Sequence, residues 1–429
     1  MKKIIAAILS LSLLLGTGCS FFPFGNNQSD GGENKESLPL YQIEDVVRSD
    51  LLWDTKTLFD CKVTTKEENV DLGENIEAFK FQSAPYGNLQ NTWVFAAIGM
   101  PETEKPKDGY PAIVLIHGGG GTVSPNWMKY WMERGFVTLA FDVFGHQLDE
   151  NLNRVDNPES GPKENYVGSN KDSVDKPYDS WVYHVVYNAI MSNNILRSNA
   201  NVDKNRIVAM GVSWGGYATC VVSGVDKRFA AFTTLNGCGY LYRDTKWLPG
   251  GEFGGADKET WIALYDPSSY LPYATKPMLF VSGLKDEYFS TYNRIQSASL
   301  IKGKAFYSQR RHLDHANWPN AGEIYEFFQH VLYKEPSITL EAKIAVEENI
   351  ATLQYENKTF KSVYFVYTTS KDADSHKWVW ESVEVEAVNG TYSCEIPADA
   401  TAYLFEMQTT SFLSQSTNVT IVESDTPYC

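Results

Sequence analysis

Short apolar runs alternate with amphipathic segments through the first three quarters of the chain. The apolar runs have the length of strands that are buried on both faces of a sheet, and segments with helical spacing separate them. This alternation predicts a mostly parallel α/β sheet with helices on both faces. The predicted strands are 76–81, 92–98, 112–116, 137–141, 206–210, 229–235, 277–281 and 304–307. The predicted helices are 126–134, 179–198, 217–225 and 324–332. The polar stretch 147–176 is expected to be a long surface loop.

The pattern changes at Pro336. From there onward, alternation of apolar and polar residues replaces helical spacing, as in 362–368, 378–380 and 402–407. Such alternation without a long helical segment is typical of antiparallel sheets with one buried face. We therefore predict an α/β domain over 39–335 and a small all-β sandwich module over 336–429.

The first residues have the form of an export signal. Lys2 and Lys3 precede an uncharged stretch over 4–18 that is too short to span a bilayer comfortably, and Cys19 follows it. Residues 15–19 resemble a bacterial lipoprotein processing site, although Gly16 stands where an aliphatic residue is usual. We expect a signal peptide over 1–18, lipidation of Cys19 and a tether over 19–38, and hence a lipid-anchored protein of the bacterial cell envelope. Plain secretion is the alternative.

The most informative motif is Gly211-Val-Ser-Trp-Gly215, which lies between the predicted strand 206–210 and the predicted helix 217–225. Its two glycines remove side chains that would collide across a sharp strand-to-helix turn, and such a turn lifts a serine hydroxyl clear of the sheet. The motif therefore predicts Ser213 as a nucleophile. The alternative is an ordinary glycine-rich turn with a capping serine.

A serine nucleophile needs a base, and the base needs a carboxylate that orients it. In sheets of this kind the chain order is serine, acid, histidine. Asp286 lies just beyond the predicted strand 277–281, at the edge where ligands gather, and is the preferred acid. Glu287 is the fallback, whereas Asp266 is expected to be a turn or cap residue.

Three histidines follow the predicted acid. His330 falls within the last predicted helix and is expected to be structural, whereas His312 and His315 lie in the loop before that helix. We favour His315 as the base because it lies nearer the start of the helix. In addition, Arg310 and Arg311 would depress the basicity of a neighbouring imidazole.

A second motif follows the predicted strand 112–116, where His117 precedes four glycines. Glycines let backbone N–H groups approach a developing negative oxygen. We therefore predict an oxyanion hole formed by Gly119, Gly120 and the backbone N–H of Trp214, with His117 as an orienting residue. A phosphate-binding loop is disfavoured because neither G-K-[ST] nor G-x-G-x-x-G spacing is present.

Composition narrows the classes of function. Hydrophobic residues at 43% and aromatic residues at 14% indicate a packed globular protein, and the net charge of −16 argues against binding of nucleic acid. The cysteines other than Cys19 have no metal-binding spacing, so we expect no metal site. Cys220 is expected to be buried, and Cys394 could pair with Cys429.

Together these segments resemble the α/β-hydrolase superfamily, and within it secreted bacterial acetylxylan esterases, dienelactone hydrolases and prolyl-oligopeptidase-type peptidases. The resemblance covers residues 70–335 and is carried by the segments 117–121, 127–142, 202–217, 225–240, 261–272 and 315–328. It implies an α/β-hydrolase catalytic domain over 39–335 in which Ser213, Asp286 and His315 form a catalytic triad without cofactor or metal. Relatives often carry a second histidine two places after the base, where this chain has Asn317.

The resemblance leaves several functions open. A carbohydrate acetyl esterase that acts on small-molecule or glycan esters is the first expectation, and the membrane is reached only through the lipid anchor. Aromatic residues of the insert 240–273 could stack on sugar rings, although such residues are more often part of a core; they are Trp247, Phe253, Trp261 and Tyr265. A prolyl-oligopeptidase-type peptidase and a non-catalytic binding lipoprotein on a hydrolase scaffold are the alternatives.

Overall fold

A computed structural model of the chain describes residues 52–163, 175–246, 258–315, 321–335, 341–356, 359–411 and 413–422. These residues belong to one compact unit, Gln42–Cys429. The predicted signal peptide, Cys19 and the tether lie outside the described residues. Among the helices described, none is both long and apolar enough to cross a membrane.

Strands and helices alternate along the first part of the described chain. The strands are β1 (Thr65–Glu67), β2 (Ile76–Ser83), β3 (Thr92–Gly99), β4 (Tyr110–Ile116), β5 (Val137–Phe141), β6 (His146–Leu148), β7 (Arg154–Asp156), β8 (Val202–Val212), β9 (Phe232–Leu235), β10 (Met278–Gly283) and β11 (Ala305–Arg310). The α-helices are α1 (Thr55–Phe59), α2 (Pro125–Met132), α3 (Trp181–Ser198), α4 (Trp214–Val225), α5 (Lys258–Tyr265), α6 (Thr291–Leu300) and α7 (Gly322–Tyr333). Short 3₁₀ helices occupy Pro177–Asp179, Pro267–Ser269, Leu271–Tyr273 and Ser375–Lys377.

A nine-stranded sheet in the order β1-β2-β3-β5-β4-β8-β9-β10-β11 forms the centre of the fold. The pairs from β1 to β5 across the sheet are antiparallel, and every pair from β5 to β11 is parallel. The prediction of a mostly parallel sheet is confirmed. The carboxyl ends of β4, β8, β10 and β11 therefore meet at one edge, which is where the predicted chemistry-bearing segments begin.

The central strands are buried on both faces, which explains their uninterrupted apolar sequences. In β4, Val114 packs into one hydrophobic cluster with α3 and α4, whereas the next residue, Leu115, packs into another with α2 and α7. Because successive side chains of a strand point to opposite faces, each face needs its own cover of helices. On the second face, the rings of Trp131 and Phe328 lie 5.6 Å apart.

The C-terminal residues form two antiparallel sheets, as predicted for a sandwich. Their strands are β12 (Lys343–Glu347), β13 (Ile350–Gln354), β14 (Phe360–Thr368), β15 (Glu381–Glu384), β16 (Ser393–Glu395), β17 (Ala402–Thr409), β18 (Ser414–Ser416) and β19 (Thr420–Ile421). One sheet has the order β12-β13-β16 and the other β15-β14-β17-β18, with β19 also paired to β17. Residues such as Phe365, Phe405 and Met407 fill the core that they share with Ala351 and Leu353.

Several local predictions were wrong. The stretch 147–176 was expected to be a loop, but the hairpin β6–β7 starts at His146 and occupies part of it. Helices α5 and α6 were not predicted. Residues 378–380 were expected to form a strand, but β15 begins only at Glu381; the two tryptophans of this stretch lie with ring centroids 5.9 Å apart.

Helix α3 buries a histidine that the sequence did not single out. His184 is 3% exposed, and its ring packs edge-on against those of Tyr86 and Tyr183. Burial lowers the pKa of His184 from 6.5 to about 4, and the charge of Asp179 opposes the shift. The folded protein therefore holds this imidazole neutral at a pH where an unfolded chain would already protonate it.

This histidine makes stability depend on pH. Since the folded pKa lies below the unfolded value, the unfolded chain binds the proton first, and stability is lost as pH falls from about 6.5 to about 4. The His184→Phe variant keeps a ring but cannot titrate. Over this pH interval, its free energy of unfolding should fall by up to about 3 kcal/mol less than that of the wild type. Urea unfolding at a series of pH values measures the difference. Parallel stability curves for the two proteins would contradict the assignment.

Candidate active site

Ser213 occupies a strained turn between β8 and α4. Its backbone has φ 55° and ψ −118°, a region that residues other than glycine rarely adopt, at a cost of about 1–3 kcal/mol. The turn is held on both sides, since the Ser213 N–H donates to the carbonyl of Leu235 at 2.8 Å and the Ser213 carbonyl accepts from Tyr217 N–H at 2.8 Å. The serine side chain is thereby presented at the carboxyl edge of the sheet.

The two motif glycines are required by close approach of backbone to backbone. A Cβ on Gly211 would lie 2.0 Å from the carbonyl oxygen of Gly215, and a Cβ on Gly215 would lie 2.0 Å from that of Ile116. Any side chain at either position would force β8, α4 and β4 apart. The spacing of the motif thus follows from how tightly the helix start packs on the sheet.

The structure brings the three predicted catalytic residues together. Ser213 Oγ lies 2.8 Å from His315 Nε2, and His315 Nδ1 lies 3.1 Å from both carboxylate oxygens of Asp286. These residues leave β8, β11 and β10 respectively, at the same edge of the sheet. The arrangement can pass a proton from the hydroxyl to the imidazole while the carboxylate orients the ring.

The acid loop after β10 holds Asp286 in a buried position. Asp286 is 1% exposed, and its Oδ1 accepts hydrogen bonds from the backbone N–H groups of Tyr288 at 2.9 Å and Phe289 at 3.0 Å. Arg294 of α6 donates to the carbonyls of Gly283 and Phe289 at the two ends of this loop. Burial lowers the pKa of the Arg294 guanidinium, and the charge of Asp286 opposes that shift. Sequence reasoning missed Arg294, because no local motif marks it.

The base loop after β11 is packed against the acid loop. The carbonyl of Leu313 accepts from Lys285 N–H at 2.9 Å, and a Cβ on Gly283 would lie 2.1 Å from that same carbonyl oxygen. The imidazole of His315 stacks on Phe289 with ring centroids 5.7 Å apart and meets Tyr288 edge-on at 5.0 Å. Ring packing and hydrogen bonds together fix the orientation of the imidazole.

The other histidines lie elsewhere. His312 is exposed, and His330 bonds through Nδ1 to the carbonyl of Glu335. Sequence reasoning was wrong about how the neighbouring arginines act: Arg310 pairs with Glu323, and Arg311 pairs with Glu406 at 2.7 Å. Both arginines are thus paired with carboxylates, and of the two histidines only His315 lies within hydrogen-bond distance of Ser213 and Asp286.

The glycine loop after β4 lies beside the serine. Gly118 is so close that a Cβ on it would lie 2.9 Å from Ser213 Cβ, and Gly121 N–H closes a turn onto Gly118 O at 3.1 Å. Gly119 and Gly120 lie exposed at the corner of this turn, where Gly120 has φ 69°. Gly119, Gly120 and Trp214, at the first position of α4, stay predicted donors of the oxyanion hole.

His117 is bonded within its own loop. Its Nε2 accepts from Val143 N–H at 3.0 Å, so the proton lies on Nδ1, which is 2.8 Å from the carbonyl of Gly118. With both ring nitrogens engaged in this way, His117 orients the glycine loop.

The remaining predicted residues have other surroundings. Glu287 pairs with Lys246 at 2.5 Å, and Asp266 caps a 3₁₀ helix by accepting from Ser268 N–H at 2.8 Å. Trp261 and Tyr265 are buried in the main core, which is the more common role expected for such aromatic residues, and are therefore not available to stack on sugars; Trp247, Phe253, Asn317 and Cys429 lie outside the described residues. Cys220 is buried as expected, and burial raises the pKa of its thiol to about 12.

One group in the described part of the chain has ligand atoms close enough to hold a metal ion. It consists of Asp244, Asp374 and His376, whose candidate atoms lie within 4.8 Å of one another. However, Asp244 already bonds to His376 Nδ1 and accepts from Ser375 N–H and Oγ, and Asp374 pairs with Lys377. The group is a hydrogen-bonded joint between the loop before α5 and the β-sandwich.

Comparisons with known proteins find two family models that each match part of this chain. The acetyl xylan esterase (AXE1) family model matches residues 45–238, and the prolyl oligopeptidase family model matches residues 180–314. Dipeptidyl-peptidase 5 of Schizosaccharomyces pombe is 25% identical over 286 residues, 62% of this chain and 39% of that protein. Dipeptidyl-peptidase 5 of Porphyromonas gingivalis is 27% identical over 223 residues, 47% of this chain and 28% of that protein. The chain thus spans less than half the length of these curated relatives.

Solved structures with the same fold include two esterases. The acetyl xylan esterase from Paenibacillus sp. R4 aligns with a TM-score of 0.53 at 18% identity, over 66% of this chain and 94% of that one. Acetyl xylan esterase 1 from Thermoanaerobacterium sp. aligns with a TM-score of 0.50 at 17% identity, over 66% and 93%.

A serine on a strand-to-helix turn of a mostly parallel sheet is characteristic of one class of hydrolases. The matched families and the shared fold lie within this class. The chain has an α/β-hydrolase fold, as predicted.

Substitution of Gly215 tests whether the turn is fixed by close backbone contact. Gly215→Ala should lower the free energy of unfolding by about 3 kcal/mol, because the added methyl group overlaps the carbonyl of Ile116. Gly87→Ala is the control: Gly87 has open space around it, so the methyl group meets no backbone, and its positive φ of 56° should cost only about 1 kcal/mol. Denaturant unfolding compares the two, and equal losses would contradict the contact argument.

Proposed function

We propose that the protein is a serine esterase that uses Ser213, His315 and Asp286 as its catalytic triad. The observation that carries this proposal is the continuous hydrogen-bonded chain from Ser213 Oγ through both nitrogens of His315 to the Asp286 carboxylate. A serine hydroxyl is a poor nucleophile at neutral pH, and an adjacent oriented imidazole removes that obstacle.

In the first step, His315 Nε2 takes the proton of Ser213 as the hydroxyl oxygen attacks an ester carbonyl. Asp286 stabilises the imidazolium that forms. Backbone N–H groups of Gly119, Gly120 and Trp214 face the negative oxygen of the tetrahedral intermediate. When the intermediate collapses, the imidazolium proton passes to the leaving alcohol, and the acyl group stays on Ser213 as an ester.

In the second step, water replaces the alcohol. His315 removes a proton from the water as the water oxygen attacks the acyl-enzyme, and the same backbone donors stabilise the second oxyanion. Collapse releases the carboxylic acid and returns the proton to Ser213. The side chains needed for both steps belong to this chain alone, so no cofactor takes part in the scheme.

We propose an acetylated carbohydrate as the substrate. The match of the acetyl xylan esterase family model to residues 45–238 supports this choice, because the match includes the glycine loop and the serine turn. Both segments contact the reacting carbonyl in the mechanism above. A small-molecule acetate ester would be handled by the same chemistry.

Peptide hydrolysis is the second candidate, favoured by the match of the prolyl oligopeptidase family model to residues 180–314. A peptidase of this kind would need a group that grips the peptide amine or carboxylate. Two carboxylates near the acid loop already have partners: Glu287 pairs with Lys246, and Asp244 bonds to Ser375 and His376. Neither of these two groups is free to bind a peptide amine.

A substrate panel separates the candidates. Wild-type protein should hydrolyse p-nitrophenyl acetate and acetylated xylan faster than an aminoacyl p-nitroanilide, and Ser213→Ala should lower kcat by about 10⁴-fold or more. Ser299→Ala, which removes an exposed hydroxyl from α6, is the matched control and should keep wild-type rates. Turnover of the anilide alone would favour the peptidase. Ester hydrolysis that survives in Ser213→Ala would contradict the assigned nucleophile.

We also propose that the protein is exported and anchored to the cell envelope by lipid on Cys19. Support comes from the sequence, where two lysines and an apolar stretch precede this cysteine. Wild-type protein expressed in bacteria should enter the detergent phase of a Triton X-114 partition, because acyl chains bury in apolar surroundings. Cys19→Ser should move to the aqueous phase, whereas Cys61→Ser should not. Wild-type protein in the aqueous phase would contradict lipidation.

A further inference from the structure

Strand β17 of the sandwich is buried on both of its faces. Residues at odd positions, such as Phe405 and Met407, fill the sandwich core. Residues at even positions face the other way: Ala402 and Leu404 pack in a cluster with Leu284, which lies in the acid loop two residues before Asp286. The alternation of a strand thus gives the sandwich a second apolar face, and that face contacts the catalytic part of the chain.

Glu406 lies on this second face and contacts the base loop. Its Oε2 accepts from the Arg311 backbone N–H at 3.1 Å and from the Arg311 guanidinium at 2.7 Å. Tyr364, directly opposite Glu406 on β14, places its ring centroid 3.5 Å from the same guanidinium. Both charged side chains are shielded, with Arg311 14% and Glu406 11% exposed. An ion pair with this degree of burial and a shared backbone contact fixes geometry better than an exposed pair.

The loop fixed by this contact is the one that carries the imidazole. Arg311 lies four residues before His315, and between them Leu313 is bonded to Lys285 of the acid loop. The base loop is therefore held from two sides, by the acid loop and by the sandwich. Just before it, the sandwich also contacts β11, since Ser308 Oγ donates to Ser414 O at 3.0 Å and Gln309 N–H donates to Ser416 Oγ at 3.0 Å.

We propose that Glu406 is a positioning residue for catalysis, which acts through Arg311 to hold His315 at hydrogen-bond distance from Ser213. The β-sandwich is then a structural part of the active site. This inference rests on the proposed function, in which His315 is the general base. A displacement of about 1 Å in a reacting group can cost up to about 100-fold in rate, so a loop contact of this kind reaches the chemistry without touching substrate.

Kinetics of full-length variants test the proposal. Glu406→Gln and Arg311→Gln should each lower kcat about tenfold and leave KM within about twofold. The double variant should be no slower than either single one, because both remove the same contact. Met407→Ala is the control: it damages the sandwich core from the opposite face of β17, so it should lower Tm while kcat stays at the wild-type value.

A second measurement does not depend on turnover. The Nδ1 proton that His315 shares with Asp286 should give a downfield proton resonance, assigned by its loss in Asp286→Ala, and this signal should broaden or vanish in Glu406→Gln. An unchanged kcat and resonance in folded Glu406→Gln would overturn the proposal, as would an equal loss of kcat in Met407→Ala. If the wild type hydrolyses no ester, the proposed function fails, and the resonance still decides whether Glu406 positions the imidazole.

Discussion

The strained backbone at Ser213 is the constraint on which the rest of the site depends. A positive φ at a serine is unfavourable, and the turn that holds it lies between β8 and α4, whose backbones contact each other at Gly211 and Gly215. Since Gly211 and Gly215 contact neighbouring backbone directly, the position of the serine hydroxyl is set by the sheet. The base and the acid are then placed relative to a serine hydroxyl whose position is fixed.

Parallel strands make that meeting possible. The glycine loop, Ser213, Asp286 and His315 follow β4, β8, β10 and β11, and the carboxyl ends of these strands share one edge. Residues about a hundred positions apart in the chain thus come within hydrogen-bond distance. The sandwich module contacts the two loops that carry the acid and the base, through Leu284 and Arg311. The loops that carry Asp286 and His315 are therefore held by the β-sandwich as well as by the central sheet.

What the sequence predicts well is what short-range physics determines. The apolar runs predicted the parallel sheet because strands buried on both faces carry few polar residues. The glycine spacing predicted the serine turn because the backbone contacts that exclude a side chain there involve residues close in sequence. Chain order then reduced the candidates for acid and base to a few residues. Arg294 and Glu406 could not be found in this way, because each acts through a partner distant in sequence, and a lone charged residue carries no pattern.

Other errors have similar causes. Helix α6 is polar along most of its length, and it is stabilised by Ser290, which caps it, and by the buried contacts of Arg294, so its apolar spacing is weak. The aromatic rings of Trp261 and Tyr265 pack in the core. Composition alone does not distinguish this role from stacking on sugars. Arg310 and Arg311 were expected to act on a neighbouring imidazole, but each pairs with a carboxylate. These partners could not be predicted because they lie 13 and 95 residues away in the sequence.

Covalent labelling tests the central claim most directly. A fluorophosphonate reacts only with a serine whose proton a nearby base can remove, so the labelled peptide identifies the nucleophile without any choice of substrate. After reaction of the native protein, mass spectrometry should find the label on Ser213, and His315→Ala should abolish it. A label on another serine, or none in the folded wild-type protein, would contradict the account.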